Sequence, residues 1–246
     1  YCPAQKTYKS YIPFRMIRKL TKFLFFSLIG CFTALVLVMT LLKWVNPPTS
    51  AFMLAHDINH LTSGEKAFSR AVWVPLTQIP KQVQIAVIAA EDQKFAHHNG
   101  IDIDATLDAI EQAMAGNGRR GGSTITQQVV KNMFLWEGRS YLRKALEIPM
   151  ALLLEQIWSK QRILEVYLNI AQFGVSDFGV YRGSRVQFNK PLEKLSLSEA
   201  ALLASILPAP SRYTAKHPTT RLNRKKNRVL THIRRIDGIR YLTQLK

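Results

Sequence analysis

Gly121-Gly122-Ser123-Thr124-Ile125-Thr126-Gln127-Gln128-Val129-Val130-Lys131-Asn132 is a glycine-led loop that runs straight into a helix, expected over Thr124 to Phe134. Glycines allow a close backbone approach, and a helix start offers unpaired N–H groups. With Arg119 and Arg120 just before, the combination suits an anion. Thr124, Gln128 and Lys131 stand four and three residues apart, so they share one helical face. A lysine there is a point charge suited to phosphate. The glycine–lysine spacing is not that of a nucleotide P-loop. A plain loop and helix cap would account for the glycines, but less well for the polar face.

Upstream, Gln82 to Glu91 reads as a helix of Val, Ile and Ala, ending in Glu91-Asp92-Gln93-Lys94-Phe95-Ala96-His97-His98. A carboxyl emerging from an apolar helix into a cleft has a raised pKa and makes a competent base or acid. A charged C-terminal turn explains the same residues equally well. His97 and His98 are adjacent and point apart, which argues against a shared metal.

Downstream, Ile103 to Met114 reads as a helix stopped by Gly116-Asn117-Gly118. Helices follow from Ser140 to Trp158, from Ile163 to Ile170, and from Ser198 to Leu207 with Ser196 or Ser198 as cap. No alternating strand pattern of convincing length occurs. Arg139, Arg143 and Glu147 recur every four residues. That is either a salt-bridge ladder or a cationic clamp on a diphosphate beside a second carboxylate, and the ladder is the simpler reading. Glu165 and Asn169 look like scaffold.

Phe23 to Leu42 holds twenty uncharged residues between Lys22 and Lys43, enough to span a bilayer core of about 30 Å. Trp44 follows as an interfacial anchor, and no small-residue cleavage site marks a removable signal peptide. Lys6, Lys9, Arg15, Arg18, Lys19 and Lys22 precede the span without an acid, which places the N-terminus in the cytoplasm. The expected organisation is a basic cytoplasmic tail (1–22), a transmembrane helix (23–44), a linker or membrane-proximal segment (45–70) and a globular domain (71–246). The net charge of +18 asks for an anionic partner: nucleic acid, a membrane surface or a phosphorylated substrate. The tail from Arg212 to Lys246 carries eleven Lys or Arg and one acid, Asp237. It is a solvated basic helix or a contact for anionic headgroups, with the second favoured beside a membrane anchor. The two cysteines, Cys2 and Cys31, leave no thiolate metal site beyond them.

EDQKF with His98, GGSTITQQVVKN, RKALE and RILEVYLN, followed by Phe188-Asn189-Lys190 and Ser196 to Ala204, resemble in order the five motifs of the peptidoglycan glycosyltransferases, glycosyltransferase family 51. The resemblance covers roughly residues 72–210. It implies a mainly α, lysozyme-like domain with a membrane-associated subdomain. It also implies polymerisation of lipid II into β-1,4-linked strands, with inversion and release of undecaprenyl diphosphate, in cell wall biogenesis. Glu91 would be the base that deprotonates the acceptor 4-hydroxyl, and Glu147 the second carboxylate beside the donor diphosphate. Lys131, Arg139, Arg143 and Lys144 would neutralise the leaving group. Asp92, Phe95, His98, Ser123, Thr124, Gln128 and Asn132 would line the cleft. The resemblance leaves room for Mg²⁺ or Mn²⁺ at Glu147 with the substrate diphosphate, and for no organic cofactor.

Expected partners are lipid II, the growing lipid-linked glycan, an anionic membrane surface and other cell wall synthesis or division proteins, not nucleic acid. The expected site of action is the periplasmic face of the bacterial inner membrane. Without transpeptidase elements the chain matches the monofunctional biosynthetic type. Leu146, Asn189 and Tyr181-Arg182-Gly183 depart from the family pattern. The first touches the cation clamp and the others touch packing. The rival readings are a lysozyme-like glycan hydrolase, which has no diphosphate to neutralise, and a membrane-tethered basic binding protein, which needs neither glutamate.

Overall fold

Pro80 starts a helix, α3 below, in which Val83, Ile85, Ala86, Val87, Ile88 and Ala89 are all buried. A helix apolar on every side belongs at a domain centre. The computed structural model describes residues 14–63, 72–116, 122–138 and 140–245. They fall in two compact units, Tyr1–Trp44 and Val45–Lys246.

The first unit is α1 (Phe14–Leu42). Within it Arg18–Leu42, 25 residues at a mean hydropathy of 2.4, is long and apolar enough to cross a membrane. The helix starts before the expected Phe23 because Arg15, Arg18, Lys19 and Lys22 are good helix formers that continue its first turns. Thr21 and Thr40 donate their hydroxyls to the Arg18 and Val36 carbonyls, so the helix satisfies these polar groups itself.

The second unit contains α2 (Ala51–Thr62), α3 (Lys81–Glu91), α4 (Ile103–Met114), α5 (Ile125–Phe134), α6 (Tyr141–Ile157), α7 (Lys160–Ile170), α8 (Val180–Phe188), α9 (Leu197–Ala204) and α10 (Thr220–Arg235). Short 3₁₀ turns join them. Among the described residues there is no β-strand, only one isolated bridge between Gln172 and Phe178. Central α3 packs on α9 and α10, and α5 packs on α6, α7 and α2.

Local chemistry sets the helix starts. Ser50, Thr124, Ser140, Ser159, Ser196 and Thr219 each cap a helix through the side-chain oxygen. Thr124 with Gln127 and Ser196 with Glu199 form full capping boxes. Ser196, not Ser198, is therefore the cap of α9. The segment 45–70, expected as a linker or membrane-proximal stretch, holds α2, which buries Met53 inside the second unit.

Asn169 and Glu165 are scaffold. Asn169 bonds both the N–H and the carbonyl of Val74, and Glu165 accepts from Leu76 N and from Arg162. Asn189 closes α8 at φ 52°, in the left-handed region that asparagine tolerates best after glycine.

Candidate active site

Glu91 is the last residue of α3 and keeps part of its surface on a cleft of about 920 Å³. Its Oε2 accepts a hydrogen bond from Gln128 Nε2 at 2.7 Å. Burial pushes its pKa above the ordinary glutamate value. The Gln128 bond and the charges of Lys131 and Lys225 oppose that push, and Asp92 adds to it. The result is a carboxylate whose proton affinity is raised and partly held in check, the condition a base needs near neutral pH.

The next residue faces the other way. Asp92 is buried, accepts His98 Nε2 at 2.9 and 3.0 Å, and accepts the Ile125 N–H at 2.9 Å. Part of the expected anion site at the start of α5 is filled from within, and its loop residues Arg119, Arg120 and Gly121 lie outside the described residues. The anion there is the protein's own Asp92, and Thr124 Oγ1 takes the Gln127 N–H. Thr124 borders the cleft, while its hydroxyl caps α5 and donates to the Gly100 carbonyl at 2.6 Å. Gly100 has φ +88°, and a Cβ there would stand 2.8 Å from the Ala151 carbonyl oxygen, so the turn requires glycine.

Phe95, expected to line the cleft, is fully buried beneath Lys160, whose Nζ lies 4.7 Å from the ring centroid. His98 is likewise packed away, with its side chain 7% exposed and tied to Asp92. Behind them Lys160 binds the His98 carbonyl at 2.6 Å and Glu155 at 2.7 Å, and Thr126 also donates to Glu155. Tyr241 Oη accepts the Ala96 N–H, and its burial pushes the phenol up to about 12. The Glu91–His98 stretch is thus braced from three directions. Asp92, Phe95 and His98 belong to that brace.

The cationic cluster lies on α5 and α6. Glu147 is 3% exposed; its Oε2 accepts from Arg143 at 3.0 Å and its Oε1 from Lys144 at 2.9 Å. Lys144 also donates to Ser123 Oγ at 3.1 Å. Lys131, one turn beyond Gln128 on α5, feels the charges of both Glu147 and Glu91. Burial lowers its pKa first, Glu147 and Glu91 raise it, and Arg143 and Lys144 lower it further. Lys131, Arg143 and Lys144 outnumber the single carboxylate, so the cluster holds surplus positive charge. Of the expected ladder, the Arg143–Glu147 rung is formed, with Lys144 as a second partner of Glu147. Asn132 is buried with its Oδ1 unpartnered, as is the Arg143 Nε. Arg139, with Arg119, Arg120 and Gly121, lies outside the described residues.

A divalent cation fits Glu147 poorly. Both its oxygens are engaged by protein cations, and among the described residues no group of three His, Cys, Asp or Glu could hold a metal.

Sequence reasoning missed the opposite wall of the cleft. Arg228, His232 and Arg235 on α10 line it, and Lys225 joins Arg228 and His232 in a smaller pocket of about 170 Å³ beside Glu91. The signal was present: positions 225, 228, 232 and 235 share one helical face. The basic tail is therefore partly cleft wall and not solely a surface for headgroups. His232 Nδ1 lies 3.1 Å from the Ala89 carbonyl and 3.0 Å from Gln93 Nε2, which ties α10 to the end of α3.

Comparison with known proteins identifies the family. The transglycosylase family model matches residues 58–234. A biosynthetic peptidoglycan transglycosylase of Pasteurella multocida (strain Pm70) is 46% identical over 209 residues, 83% of each chain. One from Mannheimia succiniciproducens is 43% identical over 216 residues, 87% of this chain and 88% of that one. One from Pseudomonas aeruginosa is 40% identical over 235 residues, 94% of this chain and all of that one.

Proposed function

Because the chain belongs to the transglycosylase family, we propose that its cleft joins lipid II units into glycan strands, with Glu91 as the base. The protein is a peptidoglycan glycosyltransferase acting in cell wall synthesis, and its substrates are lipid II and glycan. The observation that carries the assignment of roles is a half-buried carboxylate with raised proton affinity beside a surplus of half-buried cations.

Glu91 takes the proton of the acceptor 4-hydroxyl. That oxygen attacks the anomeric carbon of the donor strand and forms a β-1,4 bond with inversion. The bond from the anomeric carbon to the diphosphate breaks, and undecaprenyl diphosphate leaves with the electron pair. Lys131, Arg143 and Lys144, supported by Arg139, meet the charge that develops on it. Preorganised charges of this kind are worth most in a site with little water. Glu147 fixes two of those cations in place. Gln128, Ser123 and Asn132 orient groups along the cleft, and Arg228, His232 and Arg235 border the strand.

The apolar helix α1 anchors the enzyme to the membrane that holds its substrate. Basic residues before the span favour a cytoplasmic N-terminus and a catalytic unit on the periplasmic face of the inner membrane. The remaining positive surface suits anionic headgroups, and the reading extends to other cell wall proteins as partners.

The test is polymerisation of lipid II in detergent by the purified chain. Glu91→Gln should lower kcat by roughly 10²- to 10⁴-fold, the contribution of a positioned base. Shortening of preformed glycan without polymer formation would establish a hydrolase instead. Turnover indifferent to Glu91 would remove the assignment.

A further inference from the structure

We propose that Tyr167 is a positioning residue for the base: its hydroxyl fixes which end of the Gln128 amide meets Glu91. The proposal rests on the reading of Glu91 as base. Tyr167 lies on α7, 1% exposed, and donates its hydroxyl to Gln128 Oε1 at 3.0 Å. From the other end of the same amide, Nε2 donates to Glu91 Oε2 at 2.7 Å. An amide has one accepting end and one donating end. With the oxygen held by Tyr167, only the N–H end is left for Glu91.

Turning the amide over would set Nε2 against Tyr167 Oη, take away the acceptor of the buried phenol O–H, and set Oε1 against a carboxylate oxygen. That last contact is tolerable only when Glu91 carries a proton. The turned amide therefore suits only protonated Glu91, and Tyr167 favours the orientation that the carboxylate requires. Tyr167 stays a donor throughout, because burial, with the charges of Glu91 and Asp92, holds its phenol well above 10.0. A base must take a proton and then give it up. A fixed donor opposes the tendency of burial to keep the proton on Glu91.

The other groups facing Glu91 do not replace this contact. Asp92 follows it in the chain, Lys131 comes from α5, and Lys225, Arg228 and His232 come from α10. The packed part of α9 offers only Ala204 and Ser205, both uncharged. Lys131 and Lys225 act through space, whereas Gln128 makes the direct bond.

The experiment measures kcat/KM against pH with the full chain and lipid II, for the parent, Tyr167→Phe, Gln128→Met and the double variant. Phe keeps the buried ring and removes only the hydroxyl. The acid limb of Tyr167→Phe should move up by about half to one pH unit, the scale of one buried hydrogen bond. Rates on that limb then fall roughly three- to tenfold, and more than at the high-pH plateau. Gln128→Met should move the limb the same way, and the double variant no further than Gln128→Met alone. Loss by one factor at every pH, with the limb unmoved, would mean Tyr167 only packs and would overturn the proposal. Additive shifts in the double variant would overturn it too, because Tyr167 would then act on Glu91 without the amide. Glu91→Gln is measured alongside. If that variant keeps turnover and the limb, the base reading fails and takes the proposal with it. If it is inactive and Tyr167→Phe leaves the limb in place, the proposal alone fails.

Discussion

Replacing Asp92 with Ala should unfold the site more than it weakens substrate binding. Asp92 looks like a cleft residue because it follows Glu91, but its carboxylate faces inward to the Ile125 N–H and His98 Nε2. Alanine leaves both donors buried without an acceptor. Each stranded donor costs about 1–3 kcal/mol, so the pair amounts to about 2–6 kcal/mol. For a domain of this size each kcal/mol lowers the melting temperature by roughly 2–4 °C, giving a fall of roughly 4–24 °C. Asp92→Asn keeps an oxygen for Ile125 and should lose less than half as much. Turnover should fall in step with stability, because Gln128 and Lys131 ride on the helix whose start Asp92 holds. The assay is thermal melting by circular dichroism in detergent, beside kcat and KM for lipid II. An alanine variant that melts within a degree of the parent yet shows a raised KM would refute this reasoning and return Asp92 to the substrate.

Glu91→Gln, besides losing turnover, should melt higher than the parent at neutral pH. Burial raises the pKa of Glu91, so the folded state gains stability as pH falls through that raised value and loses it as pH rises; the gap between parent and variant should therefore widen from acid to neutral pH. Lys144→Ala should lower kcat by roughly tenfold to a hundredfold, with a smaller change in KM, because it removes charge matched to the leaving group; single-turnover kinetics would separate the two. The pair Arg228→Ala and Arg235→Ala should raise KM severalfold, and more at low salt, since both side chains are exposed on the cleft wall and their attraction is screened by ions.

Several helices could be read from the sequence because their starts are local, whereas α8, which follows Gly179 without a side-chain cap, was not. Ser140, Ser159, Ser196 and Thr219 each act within three residues, and the apolar run before Glu91 states its own burial. The inside and outside of the Glu91–His98 stretch could not be read. A 3₁₀ turn over Phe95–His97 sends Phe95 inward beneath Lys160, a residue 65 positions away in the chain. At the start of α5 the Ile125 N–H is met by Asp92, 33 residues upstream. Nothing in a linear pattern announces such a pairing. The basic face of α10 was readable at 225, 228, 232 and 235, yet charge alone could not say that it turns toward Glu91.

These long-range pairings share one purpose in the architecture. A base and a leaving-group clamp must keep a fixed separation, because the proton and the diphosphate depart from opposite sides of one reacting centre. In this fold a single short helix sets that separation. α5 carries Gln128 against Glu91 and Lys131 toward Glu147, one turn apart. Asp92 pins its first turn, and Tyr167 holds the amide it presents. Sliding α5 along its axis by one residue, about 1.5 Å, would break both contacts together. With Glu91 read as base and the cationic cluster as clamp, α5 touches both, and a substitution that loosens α5 should damage proton transfer and diphosphate departure together.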